Sequence, residues 1–269
     1  MSGASFSDLR ARALSGLAMA VIGIGAVWAG GFAFELLVYA LTGAMVWELT
    51  RMLDPDAPFG KAEGAGLTAA AALWVFSAKL AGGWLLGAVA LSIVLLAWRF
   101  PKDRAIAAAY LALILFAGLG LILLRNVYGW DWVLWLVLLV IGSDVAGYFA
   151  GRILGGAKLW PRVSPKKTWS GTVAGWVVAV MIGWGFMGIL GAGAGLVVVS
   201  VLVAMAGQAG DIAESAIKRH AGVKDSSNLI PGHGGVMDRF DAMIAAALMV
   251  LLMTETGVMA LAFAQPAGA

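Results

Sequence analysis

The chain contains no cysteine, which removes disulfides, thiolate zinc sites, iron–sulfur clusters and cysteine nucleophiles from consideration. Charge is also scarce: Asp, Glu, Lys and Arg make up 12% of 269 residues, against about 25% in an ordinary soluble domain. Roughly twice as many charges would be needed to clothe a water-facing surface on a chain of this size. Hydrophobic residues account for 62% and the mean hydropathy is +0.93, so the solvent for most of this surface is lipid. Disorder, collagen-like repeats and coiled coils need polar, periodic or charge-rich compositions and are excluded on the same figures. Several local signatures are missing too. There is no HExxH or GxSxG, and the stretch from Gly151 to Lys158 is no P-loop, because Ala157 stands where its Lys is required and Lys158 where Ser or Thr is.

What the sequence does contain is apolar runs. Nearly uncharged stretches cover about 13–31, 32–50, 64–78, 80–98, 105–124, 132–150, 171–190, 195–213 and 242–263. Most approach the roughly 20 residues that cross roughly 30 Å of hydrocarbon as a helix. Glycine is 37 of 269 residues, about twice its usual share, as expected where small residues let helix backbones approach. The first run follows Arg10 and Arg12 and a second begins almost at once, so it reads as a retained signal anchor rather than a cleaved signal. The expectation is an all-α polytopic integral membrane protein: one membrane domain over 1–269, with about nine transmembrane helices and a cytoplasmic N-terminus. With that orientation, 16 of the 18 Lys and Arg fall on the cytoplasmic side and only Lys79 and Arg125 on the other. This satisfies the positive-inside rule. The net charge of +3 therefore reflects an oriented membrane protein facing anionic lipid or nucleotide phosphates, with no nucleic acid as partner.

Two inside loops are richer in polar residues than topology requires: Gly151 to Ser170, and Lys218 to Arg239. The acids at their flanks lie inside or beside apolar spans, where an ionised carboxylate is costly and is a functional hypothesis by default. Gln208, Asp211, Glu214, Ser215 and Lys218 recur at offsets of three or four and share one helix face. Asp238 and Asp241 open the last helix three residues apart, so two pairs of carboxylates can converge from two helices. Oxygen ligands without cysteine, and with only His220 and His233 available, favour a hard cation such as Mg2+ over zinc. Lys218, Arg219, Lys224 and Arg239 lie nearby, and Pro231-Gly232-His233-Gly234-Gly235 is a flexible turn whose amides can approach an anion. The plainer alternative for Asp211 and Asp238 is an intramembrane ion pair with Lys218 or Arg239. Upstream, Ser164-Pro165-Lys166-Lys167-Thr168-Trp169-Ser170 precedes a helix N-terminus, where anions are favoured, although the lysines could equally be topological anchors. Asp144, Tyr148 and Arg152 make a polar stripe at four-residue spacing.

Taken together, these blocks resemble one family. Ser215-Ala216-Ile217-Lys218-Arg219, Lys224-Asp225, Pro231 to Gly235, and Asp238-Arg239-Phe240-Asp241 form one 27-residue run with fixed spacing, similar to the C-terminal motif of phosphatidate cytidylyltransferases, or CDP-diacylglycerol synthases. Ser143-Asp144 through Tyr148, Phe149, Gly151 and Arg152, the run from Ser164 to Trp169, and Gly210-Asp211 with Glu214 resemble the same family. The likeness covers about 143–241. Ser170 stands where the family usually carries Glu.

The resemblance implies transfer of a cytidylyl group from CTP to phosphatidate, giving CDP-diacylglycerol and pyrophosphate, with residues 1–130 as N-terminal helices and 131–263 as catalytic helices and cytoplasmic loops. It implies Asp144, Lys167, Asp211 and Asp238 as catalytic residues, with Mg2+, alone or with a second cation, on Asp211 and Asp238. Ser164, Lys166, Lys167, Lys218, Arg219, Lys224, Asp225, His233, Gly234, Gly235 and Arg239 would bind the two phosphorylated substrates. It also implies a homodimer. The composition further points to a bacterial plasma membrane, with the active site facing the cytoplasm. The alternatives are a CTP-dependent polyisoprenol kinase, which would release CDP instead of pyrophosphate, and an ion-coupled transporter, which fits poorly because the acids cluster at helix ends rather than at the membrane midplane.

Overall fold

The computed structural model describes residues 3–79 and 83–263. Among them are nine α-helices: α1 (Gly3–Ala29), α2 (Gly31–Leu53), α3 (Lys61–Lys79), α4 (Gly83–Ala97), α5 (Arg104–Leu123), α6 (Trp130–Ile153), α7 (Trp169–Phe186), α8 (Gly195–His220) and α9 (Met237–Glu255). A π-helical turn, Leu124–Tyr128, follows α5, and a 3-10 turn, Val258–Phe263, follows α9. Each apolar stretch read from the sequence falls on one α-helix. Residues 80–82, at the start of the fourth stretch, lie outside the described residues, as does the side chain of Lys79.

Among the described residues, six helical segments are long and apolar enough to cross a membrane: Arg10–Ala29, Gly31–Leu53, Arg104–Tyr128, Trp130–Ile153, Trp169–Phe186 and Gly195–His220. Three helices fall short for visible reasons. The fourth helix has 15 residues. The third is built largely of Ala and Gly with Lys61, Glu63 and Lys79 at its ends, and α9 carries Asp238, Arg239 and Asp241 in its first turns. Large apolar side chains such as Leu17, Val21, Trp28, Val177, Met181 and Trp184 are exposed, as suits helices solvated by hydrocarbon.

The chain divides into two compact units. The first comprises Met1–Ile122 and Ile217–Phe240, so the segment from Lys218 to Arg239 belongs with the N-terminal helices. Its core holds Leu49, Leu73, Leu111, Ile114 and Leu115, all fully buried. Helices α2 and α3 approach at two glycines: a Cβ on Gly66 would lie 2.6 Å from the Gly43 carbonyl oxygen. This is the close packing that the glycine content anticipated. Glu35, an acid inside α2, accepts a hydrogen bond from Tyr39 Oη at 3.2 Å.

The second unit comprises Leu123–Ala216 and Asp241–Ala269. Its fully buried Trp135 donates from the indole to Ser200 Oγ at 3.0 Å, which satisfies a polar group that lipid could not. Helices α6 and α7 meet at Gly147 and Gly171, where a Cβ on Gly171 would overlap the Gly147 carbonyl. The segment between them, read from the sequence as a polar loop, contains a short antiparallel hairpin, β1 (Lys158–Trp160) and β2 (Ser164–Thr168), with Trp160 opposite Ser164 and Lys158 opposite Thr168.

Candidate active site

In the second unit, the β2 strand grows more buried toward its end and leads into a helix cap. Lys166 is exposed and Lys167 turns inward. Thr168 then caps α7 by accepting from the Gly171 amide at 3.2 Å. Lys167 Nζ meets Asp211 Oδ2 at 2.5 Å and the Gln208 carbonyl oxygen at 3.5 Å. The other oxygen of Asp211 faces Ser215 Oγ at 3.5 Å. Gln208 is fixed by two neighbours of α7, donating to the Thr172 carbonyl at 3.2 Å and accepting from Trp176 Nε1 at 2.9 Å. Asp144 on α6 is within electrostatic range of both Asp211 and Lys167. Two carboxylates and one ammonium thus gather where the sequence placed only separate motifs. The stripe on α6 is partly internal to itself, since Arg152 donates to Tyr148 Oη at 2.8 Å. Ser170 donates to the Gly155 carbonyl and lies 3.0 Å from Thr168 Oγ1, which makes it part of the hairpin's own bonding.

In the first unit, the loop from Ala221 to Val236 is organised by two acids. Asp238 Oδ1 accepts from Lys218 Nζ at 2.7 Å and from the Ser226 amide at 3.2 Å. Its Oδ2 accepts from the Ser226 amide at 3.0 Å and the Gly235 amide at 2.7 Å, and lies 3.1 Å from Ser226 Oγ, whose one hydroxyl hydrogen it shares with Glu48 Oε2. Asp238 precedes the apolar stretch of α9. Burial pushes its carboxyl pKa up, but the hydrogen bonds from Lys218, Gly235 and Ser226 outweigh this and hold it below the ordinary range. The second acid is Glu48 of α2, which sequence reasoning did not single out. It is fully buried and accepts from Ser227 Oγ, Ser226 Oγ and the amides of Val236 and Met237. The signal was present, since Glu48 is an acid within the stretch 32–50.

Within the Gly232–Gly235 turn, the amides of His233 and Gly235 donate to the Ile230 carbonyl at 2.9 Å and to Asp238, which brace the turn on its own chain. Its glycines have steric reasons: Gly234 has φ 85°, and a Cβ on Gly235 would overlap Ser226 Oγ and the Glu48 carboxylate. His233 Nδ1 lies 2.8 Å from Ser15 Oγ of α1, and Ser15 also donates to the Pro231 carbonyl at 2.9 Å.

The remaining sequence candidates lie on the surface. Lys224, Asp225 and Arg239 are exposed, Ser164 is half-buried in the hairpin, and Arg219 donates to the Val223 carbonyl at 3.1 Å. Asp238 does form the ion pair with Lys218 that was the plainer alternative, whereas Asp211 pairs with Lys167, a partner outside that alternative. Asp211 and Asp238 belong to different units. Among the described residues, no group of three or more His, Cys, Asp or Glu is arranged to hold a metal ion.

Helices apolar enough to cross a membrane, with the Lys167–Asp211 and Lys218–Asp238 pairs set among them, define an integral membrane protein with charged groups in its apolar body. A sequence model of the cytidylyltransferase family matches residues 10–256. The chain is 37% identical over 254 residues to a phosphatidate cytidylyltransferase of Brucella suis biovar 1 (strain 1330), covering 91% of this chain and 93% of that protein. It is 32% identical over 260 residues to one of Bacillus subtilis (strain 168), covering 88% and 94%. To one of Staphylococcus saprophyticus it is 30% identical over 262 residues, covering 92% and 100%. The chain belongs to the cytidylyltransferase family.

Proposed function

We propose that this enzyme transfers the cytidylyl group of CTP to phosphatidate. An oxygen of the lipid phosphate attacks the α-phosphorus of CTP, the bond from that phosphorus to the α,β-bridging oxygen breaks, and pyrophosphate leaves with the electron pair. The nucleophile is ionised at neutral pH, so no serine, cysteine or strong base is required. The requirement is instead to screen two polyanions from each other and to stabilise the leaving group. The observation that carries this reading is the Lys167–Asp211 pair with Asp144 beside it, in a chain similar along most of its length to enzymes named phosphatidate cytidylyltransferase.

Lys167 in the second unit and Lys218 in the first are enclosed cations, each held by an aspartate of its own unit, and we assign each of them to binding a substrate phosphate. Lys166, Arg219, Lys224 and Arg239 are the outer cations, suited to drawing in the triphosphate or the lipid headgroup. We assign Mg2+ to Asp211 with Asp144, because hard oxygen donors suit it and it commonly takes one or two carboxylates, filling its shell with water and phosphate oxygens. When bound, it supplies Lewis-acid screening of the phosphates and of the departing pyrophosphate. At Asp238 a cation would have to displace Lys218 from Oδ1, and Oδ2 already accepts from the amides of Ser226 and Gly235. We therefore assign Asp238 to holding Lys218 and the loop, in place of the metal role expected from the sequence.

We further propose nine membrane crossings with a cytoplasmic N-terminus, supported by the one-sided distribution of Lys and Arg. Residence in a bacterial inner membrane is supported by the bacterial relatives, and homodimerisation by the family resemblance. The test is incubation of the purified protein with labelled CTP, phosphatidate and Mg2+, followed by lipid extraction. Label is expected in the lipid phase with equimolar pyrophosphate, and EDTA is expected to abolish it. An unlabelled lipid phase refutes the reading, and release of CDP points to the lipid-kinase alternative.

A further inference from the structure

Glu48 lies five residues before α2 ends at Leu53, with its side chain fully buried. Both carboxylate oxygens are filled. Oε1 accepts from Ser227 Oγ at 2.6 Å and from the Val236 amide at 2.8 Å, and Oε2 accepts from Ser226 Oγ at 3.3 Å and from the Met237 amide at 2.7 Å. Val236 and Met237 lie at the start of α9, whose first amides have no partner within the helix. Their acceptor comes from 188 and 189 residues away in the sequence. An anion there also complements the positive end of the helix dipole.

The same carboxylate reaches the candidate site through one shared residue. Ser226 Oγ stands 3.3 Å from Glu48 Oε2 and 3.1 Å from Asp238 Oδ2, and the Ser226 amide binds Asp238. Asp238 in turn accepts from Lys218 at 2.7 Å. We infer that Glu48 is a positioning residue for cytidylyl transfer: it fixes the segment from Ser226 to Met237 and, through Ser226 and Asp238, the location of the Lys218 ammonium. This rests on the reading of Lys218 as a phosphate-binding group in that reaction. The charge state and the number of acceptors both matter. Glutamine has a single acceptor oxygen and would turn its NH2 toward one of the two donor pairs, leaving a buried amide facing another donor.

The test uses the full chain in detergent, comparing wild type with Glu48→Gln and with Ser227→Ala, which removes only one of the four hydrogen bonds. Hydrogen exchange is followed over residues 226–237, and KM for CTP and Vmax are measured per folded protein. For Glu48→Gln the amides of Val236 and Met237 exchange faster and KM for CTP rises about tenfold or more, the usual scale for losing a group that orients a functional one. Ser227→Ala changes both in the same direction by less. Adding Asp238→Asn to Glu48→Gln costs less than the two single effects combined, because both act on one chain of contacts. A merely structural Glu48 lowers the folded fraction and leaves KM unchanged, and that result overturns the inference. If Glu48→Gln does not fold, an unchanged KM in Ser227→Ala overturns it equally. Wild-type protein that puts no label from CTP into lipid would refute the functional reading instead, and unaltered exchange at Val236 and Met237 would separately refute the role of Glu48 in holding the loop.

Discussion

Lys218 and Asp238 form an enclosed ion pair, with side-chain exposures of 12% and 3%. Removing one member of such a pair costs about 3–5 kcal/mol, because the other charge stays in surroundings that solvate it poorly. Lys218 keeps some exposure, so Asp238→Asn is expected near the lower end, about 3 kcal/mol of stability. Asparagine keeps one acceptor oxygen but turns its NH2 either toward Lys218 or toward the amides of Ser226 and Gly235. Lys218→Met removes the same attraction from the other side, so the double variant is less impaired than the sum of the singles, with a coupling of about 2 kcal/mol. The assay is thermal or denaturant unfolding of all four proteins in one detergent, alongside CTP incorporation. The pH dependence has a definite sign. Asp238 has its carboxyl held below the ordinary range in the folded state, so its contribution is fully present above the unfolded carboxyl value of about 4. It is lost as pH falls through the lower folded-state value, so wild type and Asp238→Asn converge in stability on acidification. A coupling below about 0.5 kcal/mol, or a stability gap that widens toward acid, refutes the reasoning.

Three further outcomes are expected. Lys167→Met removes the ammonium that pairs with Asp211 and acts on Asp144, and incorporation of label falls about 100-fold in kcat, the scale of losing one preorganised electrostatic contact. Lys166→Ala removes an exposed cation, so its loss of about tenfold or less falls on KM and shrinks as salt is added, as initial rates across a salt series will show. Gly66→Ala would bring a Cβ to 2.6 Å from the Gly43 carbonyl and costs about 1–3 kcal/mol in unfolding experiments, with activity per folded molecule unchanged.

The helices were legible because one physical quantity, uncharged length, both specifies a membrane helix and can be read without knowing any partner. That is why α1 to α9 fall on the stretches marked by composition. Membrane competence was less legible. The apolar run at 242–263 was counted without the charged first turns that α9 includes, and α3 owes its apolar character to Ala and Gly, whose hydrophobicity per residue is small. The hairpin from Lys158 to Thr168 escaped because strands of three and five residues leave no periodicity to detect. At the candidate site, periodicity put Gln208, Asp211 and Lys218 on one face but could not say what each would meet. The structure gives them Trp176, Lys167 and Asp238 respectively.

Glu48 marks the limit of that method. An acid near the end of an apolar stretch reads locally as a boundary marker, and its four donors come from residues 226, 227, 236 and 237, which no helical period connects to it. The chemistry-bearing motif at Asp238 looks self-contained in sequence, since its lysine, serine and glycines all lie within 20 residues of it. A polar loop of that kind still has to be held against an apolar body. A buried carboxylate does this economically, because its two oxygens can take four donors at once, whereas an apolar side chain would leave the amides of Val236 and Met237 without acceptors. It follows that other loop-bracing acids in membrane helices should be sought among acids that topology counts dismiss as boundary residues, and that an acid's distance in sequence from a motif says little about its distance from the chemistry.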